Sequence, residues 1–160
     1  MKCFIRKYDD SDLPSLVEIY RKSINHVGHE YYSKEQIDVW SNYSKEMEIF
    51  RKWITDSTTF VAFHQQVPVG FGGLDEKGRI SSLFVDPEAM RQGVGSSLLK
   101  RIMSEIENRG LNHITTDASE FSKPLFEKFG FRLKDIEHIM FKGVSFHRYA
   151  MELFLRKYPA

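Results

Sequence analysis

Residues 80–99 constrain the fold of this chain more than any other segment, because they suggest a strand, a glycine loop and a helix start in direct succession. The apolar run Leu83-Phe84-Val85 is typical of an interior strand, and Pro87 ends it because proline has no amide hydrogen for a ladder. The loop that follows, Arg91-Gln-Gly-Val-Gly-Ser96, leads into apolar residues at helical spacing. The segment therefore predicts a buried strand that a short loop connects to a helix.

The loop of residues 91–96 has the chemistry of a phosphate-binding site. Gly93 and Gly95 carry no side chains, so a ligand can approach the backbone closely. The first amides of the helix that follows have no partner within it and lie at the positive end of its macrodipole. Arg91 adds a full positive charge beside them. We predict that a pyrophosphate binds here; a simple helix start after a tight turn is the alternative.

Composition and charge indicate a single globular domain over residues 1–160. Hydrophobic residues make up 41% of the chain and charged residues 28%, which argues against global disorder. Because 23 Lys and Arg nearly balance 22 Asp and Glu, there is no electrostatic case for nucleic-acid or membrane partners. A lone cysteine, Cys3, excludes an intramolecular disulfide framework and fits a reducing compartment. No apolar segment approaches membrane-spanning length, so we expect a cytoplasmic protein.

The order of the predicted elements indicates a mixed sheet. Strands are predicted at 2–8, 59–64, 67–74, 79–85, 111–117, 131–141 and 145–155. Helices are predicted after a cap at Ser11, after a capping box of Ser33 and Gln36, near Met47, after the glycine loop, and at 121–129. Three consecutive strands before the glycine loop and a hairpin at the end are incompatible with a wholly parallel sheet.

With this order, the chain resembles the GNAT superfamily of acetyl-coenzyme A-dependent N-acetyltransferases, and is most similar to small bacterial members. The resemblance runs through nearly the whole chain. Its most specific parts are Leu83-Phe-Val-Asp-Pro87, Arg91-Gln-Gly-Val-Gly-Ser96, Ala118-Ser119 and Lys123-Pro-Leu-Phe-Glu-Lys-Phe-Gly-Phe131. It implies an α/β (α+β) fold in which a mixed, mostly antiparallel seven-stranded sheet is flanked by about four helices. It also implies a splay between strands 4 and 5.

The resemblance further implies where coenzyme A or acetyl-coenzyme A would bind. The amides of residues 91–96 would hold the pyrophosphate, although Met90 stands where the family has Gln or Arg. The free backbone of strand 4 would pair with the pantetheine arm like an added strand. Ser119 falls where many relatives place an Asn that contacts this arm. The implied cofactor-binding residues are Leu83, Phe84, Val85, Arg91, Gln92, Gly93, Val94, Gly95, Ser96, Ser119 and Phe126.

The catalytic groups are less well defined by the sequence. Many relatives carry Tyr at the position of Phe126, where its hydroxyl protonates the departing thiolate, and a phenylalanine cannot donate a proton. Residues 25–45 correspond to the variable substrate-binding helices of the superfamily, so Tyr32 and His29 are the candidate catalytic residues. A further expectation is that Asp75 and Glu76 lie near the acceptor. A backbone amide near the end of strand 4 is the candidate donor to the developing oxyanion.

We therefore predict transfer of an acetyl group from acetyl-coenzyme A to a primary amine of a small molecule or peptide. The departures at Phe126 and Met90 motivate the alternative of a non-catalytic coenzyme A-binding module. A nicotinamide enzyme is a further alternative, because Gly93-Val-Gly95-Ser-Ser-Leu98 imitates a dinucleotide fingerprint. Against it, Leu98 replaces the third glycine and a hairpin follows where parallel units should continue.

Two expectations concern partners of other kinds. No metal site is expected, because His26, His29 and Glu30 have no second cluster at matching spacing. A homodimer is possible in principle, since the C-terminal hairpin would offer an edge for strand pairing. The acceptor itself is not identified by the sequence.

Overall fold

The computed structural model describes residues 1–155, in which seven strands form one sheet. The strands are β1 (Phe4–Lys7), β2 (Thr58–His64), β3 (Val67–Leu74), β4 (Arg79–Val85), β5 (His113–Ala118), β6 (Arg132–Phe141) and β7 (Val144–Phe154). Their order in the sheet is β1-β2-β3-β4-β5-β7-β6. All neighbours are antiparallel except β4 and β5, which are parallel. The predicted mixed, mostly antiparallel sheet of seven strands is confirmed.

Five α-helices flank this sheet in residues 1–155, one more than the expected four or so. They are α1 (Leu13–Val27), α2 (Lys34–Ser41), α3 (Met47–Thr55), α4 (Val94–Asn108) and α5 (Lys123–Lys128). None of these helices is long and apolar enough to cross a lipid bilayer. The strand bounds differ from the predicted ones by at most two residues. The predicted domain range of 1–160 stays a prediction, because residues 156–160 lie outside the described part of the chain.

Two of the helix starts were predicted from capping residues, with different outcomes. The capping box before α2 is confirmed: Ser33 Oγ accepts from the Gln36 amide, and the Gln36 side chain accepts from the Ser33 amide. The prediction of a helix cap at Ser11 was wrong. The carboxylate of Asp9 accepts from the Ser11 amide, and Asp12 completes a box with the Asp9 amide, so a 3-10 turn precedes α1. Charged carboxylates are stronger acceptors than a serine hydroxyl, which explains the preference.

The sheet is buried on both faces by two apolar clusters. Because successive strand residues point to opposite faces, Phe60 of β2 packs with α4, whereas Val61 packs with α1 and α3. On the α4 side, Leu98 and Ile102 are fully buried. On the other side, Phe50 of α3 is fully buried. Strands β2–β4 are therefore held between two layers of helices.

Strands β4 and β5 separate soon after their pairing begins. Within residues 1–155 they pair at only two positions, of which the second joins Ile80 to Thr116. Ser81 is a bulge, because the residues on either side of it pair with consecutive residues of β3. A bulge bends its strand, so β4 continues beside β3 while β5 continues beside β7. The predicted splay is present, and it begins at this bulge.

The packing of α4 on the sheet can be tested by cavity formation. We expect Ile102→Ala to lower the free energy of unfolding by about 2–5 kcal/mol, because the removed methyl groups are fully buried. Lys100→Ala is the matched control, since Lys100 is exposed on the same helix and its loss should change stability by less than ~0.5 kcal/mol. Urea unfolding followed by circular dichroism measures both. Similar losses in the two variants would contradict this packing.

Candidate active site

The loop between β4 and α4 presents backbone amides to solvent. Gly93 precedes α4 with φ +86°, a left-handed conformation that favours glycine, and Arg91 is also left-handed with φ 60°. The amide of Ser97 donates to the Gly93 carbonyl oxygen at 2.9 Å and makes the first hydrogen bond of the helix. The amides of residues 94–96 precede that first bond, so they have no partner within the helix. They lie at the positive end of its macrodipole.

The surroundings of this loop leave room for an anion. Within the described residues, no heavy atom lies within 4 Å of the position that a Cβ on Gly93 would take. A Cβ on Gly95 would lie 3.0 Å from Leu125 Cδ2, so glycine allows α5 to pack closely there. Arg91 is exposed, and it forms no ion pair within residues 1–155. The residues present therefore fit a phosphate group.

The remaining loop residues contribute in different ways. The side chain of Val94 is buried in the α4 cluster, so only its backbone faces the loop. Gln92 is exposed, and its side-chain amide donates to the Glu88 carbonyl oxygen at 3.3 Å. Ser96 is half-buried in the first turn of α4. The backbone of this segment, more than its side chains, would contact a phosphate.

The peptide groups of β4 alternate between β3 and the gap. The amide of Asp86 donates to the Val69 carbonyl oxygen at 2.8 Å, which places the peptide group of Asp86 on the β3 side. By antiparallel alternation, Phe84 also bonds to β3, whereas the peptide groups of Leu83 and Val85 face the gap. The prediction assigned Leu83, Phe84 and Val85 alike to cofactor binding. The register separates Phe84 from the other two, and its ring packs against the apolar cluster that contains the buried residues of α1. Leu83 and Val85 form the free edge.

The apex of the gap is closed by a side chain. Thr116 Oγ1 donates to the Ile80 carbonyl oxygen at 2.9 Å, and the Thr116 hydroxyl is buried. This side-chain hydrogen bond crosses from β5 to β4 at the last position where the two strands pair. The gap begins at a defined point.

A cavity of about 400 Å³ opens where β4 and β5 separate. The predicted site residues that line it are Tyr32, Leu83, Phe84, Ser119 and Phe126. Three residues predicted to lie near the acceptor lie elsewhere. His29 is exposed on the turn of residues 28–30, and Glu76 is exposed in the β3–β4 turn. The carboxylate of Asp75 accepts from the amides of Lys77 and Arg79, at 2.8 and 3.0 Å, and so shapes this turn.

A carboxylate that the sequence analysis did not single out lies beside the cavity. Glu120 Oε1 accepts from the Tyr149 hydroxyl at 2.6 Å and from His147 Nε2 at 2.9 Å. The Glu120 amide donates to the Tyr32 hydroxyl oxygen at 3.1 Å. The hydrogen bond from Tyr149, followed by that from His147, holds the pKa of the Glu120 carboxyl below its ordinary value. The bond to Glu120 and then burial raise the pKa of Tyr149 to about 12.

The two aromatic residues that the sequence singled out differ in what they offer. Phe126 is 2% exposed and packs against Phe131 with ring centroids 5.3 Å apart. It provides no proton. Tyr32 provides a hydroxyl, and burial raises the pKa of its phenol, while the hydrogen bond from the Glu120 amide acts in the opposite direction. Tyr32 is therefore protonated at neutral pH.

The cavity combines aromatic walls with paired charges. Its aromatic lining includes Tyr20, Trp40, Tyr43, Trp53, Phe141 and Phe146. Arg79 Nη2 lies 2.5 Å from Asp117 Oδ2, and Arg148 Nη1 lies 3.7 Å from the same oxygen. Arg148 Nε also donates to Glu137 Oε1 at 3.0 Å. Each charged group in this part of the lining therefore has an oppositely charged neighbour.

Comparison with known proteins identifies the family. Residues 29–153 match the family described as Acetyltransferase (GNAT) domain. The chain belongs to the GNAT acetyltransferase family. It is 31% identical over 147 residues to the uncharacterized N-acetyltransferase YafP of Escherichia coli K12, covering 92% of this chain and 93% of YafP. The predicted enzyme class, an acyltransferase, is confirmed by this membership.

Solved structures agree with the assignment. A GCN5-related N-acetyltransferase from Rhodopseudomonas palustris superposes with a TM-score of 0.93 at 26% identity, over 97% of each chain. The PaiA N-acetyltransferase from Thermoplasma acidophilum, solved in complex with coenzyme A, gives 0.80 at 22%, over 96% of this chain and 99% of that one. YncA from Salmonella typhimurium, solved with acetyl-CoA, gives 0.67 at 18%, over 100% and 98%. The predicted cofactor class is therefore the one that these two similar structures contain.

The phosphate loop can be tested with a charged substitution. We expect Gly93→Glu to weaken coenzyme A binding at least about 100-fold, or ~2.7 kcal/mol, because a carboxylate would occupy the open space beside the free amides. Gly110→Glu is the control, since Gly110 is also left-handed and open but follows the opposite end of α4. It should retain wild-type affinity. Calorimetric titration measures both, and equal affinities would contradict the placement of the pyrophosphate.

Proposed function

We propose that this chain transfers the acetyl group of acetyl-coenzyme A to a primary amine of a small molecule or peptide. The observation that carries the proposal is the gap between β4 and β5, which begins at the Ser81 bulge and opens into the cavity of about 400 Å³. The free amides of residues 94–96 lie in the first turn of α4, the helix that follows β4 and its loop. Phosphate-binding amides, an unpaired strand edge and a cavity together suit a long phosphorylated thioester.

In the proposed complex, each part of the cofactor has a partner in this chain. The amides of residues 94–96 and the guanidinium of Arg91 hold the pyrophosphate. The peptide groups of Leu83 and Val85 pair with the pantetheine arm as an added strand would. Ser119 lines the cavity but forms hydrogen bonds with Ser122, so its hydroxyl contributes less than the Asn common in relatives. The strand edge therefore provides most of the contacts with the arm.

The chemistry needs little more than this positioning. The neutral amine attacks the thioester carbonyl carbon, and negative charge develops on the carbonyl oxygen. The Val85 amide faces the gap and is the proposed donor to that oxygen. Holding amine and thioester together in the cavity supplies the larger part of the rate. Because β4 is packed on both faces, its amide is positioned before the reaction begins.

Calorimetry and a thiol-release assay separate this proposal from its alternatives. We expect the full chain to bind coenzyme A and to release free thiol from acetyl-coenzyme A only when a suitable amine is present. Binding with no release from any amine in a broad panel would favour a non-catalytic coenzyme A-binding module. Protection against thermal unfolding by NAD, with none by coenzyme A, would favour a nicotinamide enzyme.

The cavity lining also suggests which amines to test first. Its walls are largely aromatic, and its carboxylate, Asp117, already pairs with Arg79. A second ammonium on the acceptor would therefore lose water without gaining a free counter-charge. We expect kcat/KM for 2-phenylethylamine to exceed that for a linear alkyl diamine of similar length by about tenfold, or ~1.4 kcal/mol. A preference for the diamine, measured by thiol release at matched concentrations, would contradict this interpretation.

Three earlier expectations accompany the proposal as predictions. They are a single domain over residues 1–160, a cytoplasmic location, and a homodimer formed through the C-terminal hairpin. For the last, β6 is an edge strand of the described sheet, and Ile136 and Met140 are exposed on it. Such an edge can pair with another strand. Analytical ultracentrifugation of the full chain measures the oligomeric state.

A further inference from the structure

Because residue 126 is a phenylalanine, the departing coenzyme A thiolate has no proton donor where many relatives have a tyrosine. Phe126 lines the cavity, and its ring has no exchangeable hydrogen. Coenzyme A departs as a thiolate when the carbon–sulfur bond breaks, so a nearby acid would assist this step. Tyr32 lines the same cavity. Its hydroxyl is the group to consider.

The hydroxyl of Tyr32 has its oxygen engaged and its hydrogen free. The oxygen accepts from the Glu120 amide at 3.1 Å, and within residues 1–155 the hydroxyl donates to no protein acceptor. An amide that donates to a phenol oxygen stabilises the phenolate, so it favours release of the phenolic proton. The arrangement therefore suits a proton donor that faces the cavity.

The ring that carries this hydroxyl is held from several directions. The Tyr32 amide donates to the Gly28 carbonyl oxygen at 2.7 Å. The ring packs edge-on against Trp40, with centroids 5.2 Å apart, and also contacts Phe146. The amide that binds the hydroxyl belongs to Glu120, whose carboxylate is in turn bound by two side chains of β7. The Tyr32 hydroxyl is thereby positioned next to the end of β5.

Other groups around the cavity are less suitable as donors. The Tyr149 hydroxyl donates to Glu120 at 2.6 Å, and the Tyr20 hydroxyl donates to the Trp40 carbonyl oxygen at 2.8 Å. His147 Nε2 is likewise bound to Glu120. Tyr43 lines the cavity, but its ring packs on the α1–α3 side against Phe50, Trp53 and Phe141. Tyr32 combines a free hydrogen with a place beside β5.

We infer that Tyr32 donates the proton to the departing coenzyme A thiolate, a role that Phe126 cannot fill. The inference rests on the proposed function. In this step the carbon–nitrogen bond has formed, the carbon–sulfur bond breaks, and the sulfur takes the hydroxyl proton of Tyr32. The phenolate then recovers a proton from the former amine nitrogen through solvent. The products are the amide and neutral coenzyme A.

Steady-state kinetics test the role of the hydroxyl. We expect Tyr32→Phe to lower kcat about 100-fold while KM for acetyl-coenzyme A changes less than about threefold. Tyr8→Phe is the matched control, because it removes a tyrosine hydroxyl that donates to Asp10, away from the cavity, and it should keep wild-type kcat. Adding Phe126→Tyr to Tyr32→Phe should restore at least about tenfold of the loss, because it returns a phenol to the cavity. An unchanged kcat in Tyr32→Phe overturns the inference, as does a loss that Phe126→Tyr does not rescue.

A binding measurement provides a test that does not depend on turnover. A hydroxyl that donates to the sulfur stabilises the thiolate of bound coenzyme A, so its removal should raise the pKa of that thiol. Ultraviolet difference titration of the bound thiol measures this pKa, and Cys3 cancels because it is present in every variant. The other titratable groups beside Tyr32 are Glu120, His147 and Tyr149, which both variants retain. A higher pKa in Tyr32→Phe but not in Tyr8→Phe supports the inference.

The outcomes separate this inference from the proposed function. If the wild-type chain does not bind coenzyme A, the proposed function fails and the inference fails with it. If the wild-type chain binds coenzyme A and acetylates an amine, but Tyr32→Phe matches Tyr8→Phe in kcat and in thiol pKa, only the inference is overturned.

Discussion

The loss of pairing between β4 and β5 is the constraint on which the site depends. Peptide groups inside a sheet normally have partners, because burying them without one is costly. In this chain the bulge at Ser81 turns β4 away from β5 and leaves the peptide groups of Leu83 and Val85 facing the gap between the two strands. The two helical layers hold β4 against β3, so the gap cannot close by a movement of that strand alone. An extended ligand is the natural partner for such an edge.

The fold could be predicted well because its determinants are local. Alternating apolar residues indicated the strands, and the Ser33–Gln36 box indicated the start of α2. The loop between β4 and α4 was predictable for the same reason, since its glycines and Arg91 are adjacent in the chain. The error at Ser11 was also local: the Asp9 carboxylate accepts from the Ser11 amide and Asp12 from the Asp9 amide, so Ser11 lies inside a 3-10 turn instead of capping α1. Short-range competition of this kind is difficult to rank from sequence alone.

The acceptor side of the site could be predicted only in part, because residues distant in the chain build it. Tyr32 and Glu120 are 88 positions apart, and Glu120 and His147 are 27 apart. No sequence motif connects these residues. The register of β5 with β7 brings Ala118 opposite Tyr149, and so places Glu120 beside the side chains of β7. His29, three residues before Tyr32, was an equally reasonable candidate from the sequence but is exposed on the turn before α2. A residue that lines the cavity and one that is exposed to solvent therefore lie only three positions apart in the chain.

The hydroxyl of Thr116 gives the gap a fixed inner end. It donates to the Ile80 carbonyl oxygen across the last pair of residues that joins β4 to β5, and so ties the two strands together where the gap begins. A cofactor arm that entered along β4, as proposed, would meet this end of the gap at a distance from the loop of residues 91–96 that the length of β4 sets. That distance would limit how deep the acyl carbon can reach, and a bulkier acyl group would have to project toward the aromatic walls.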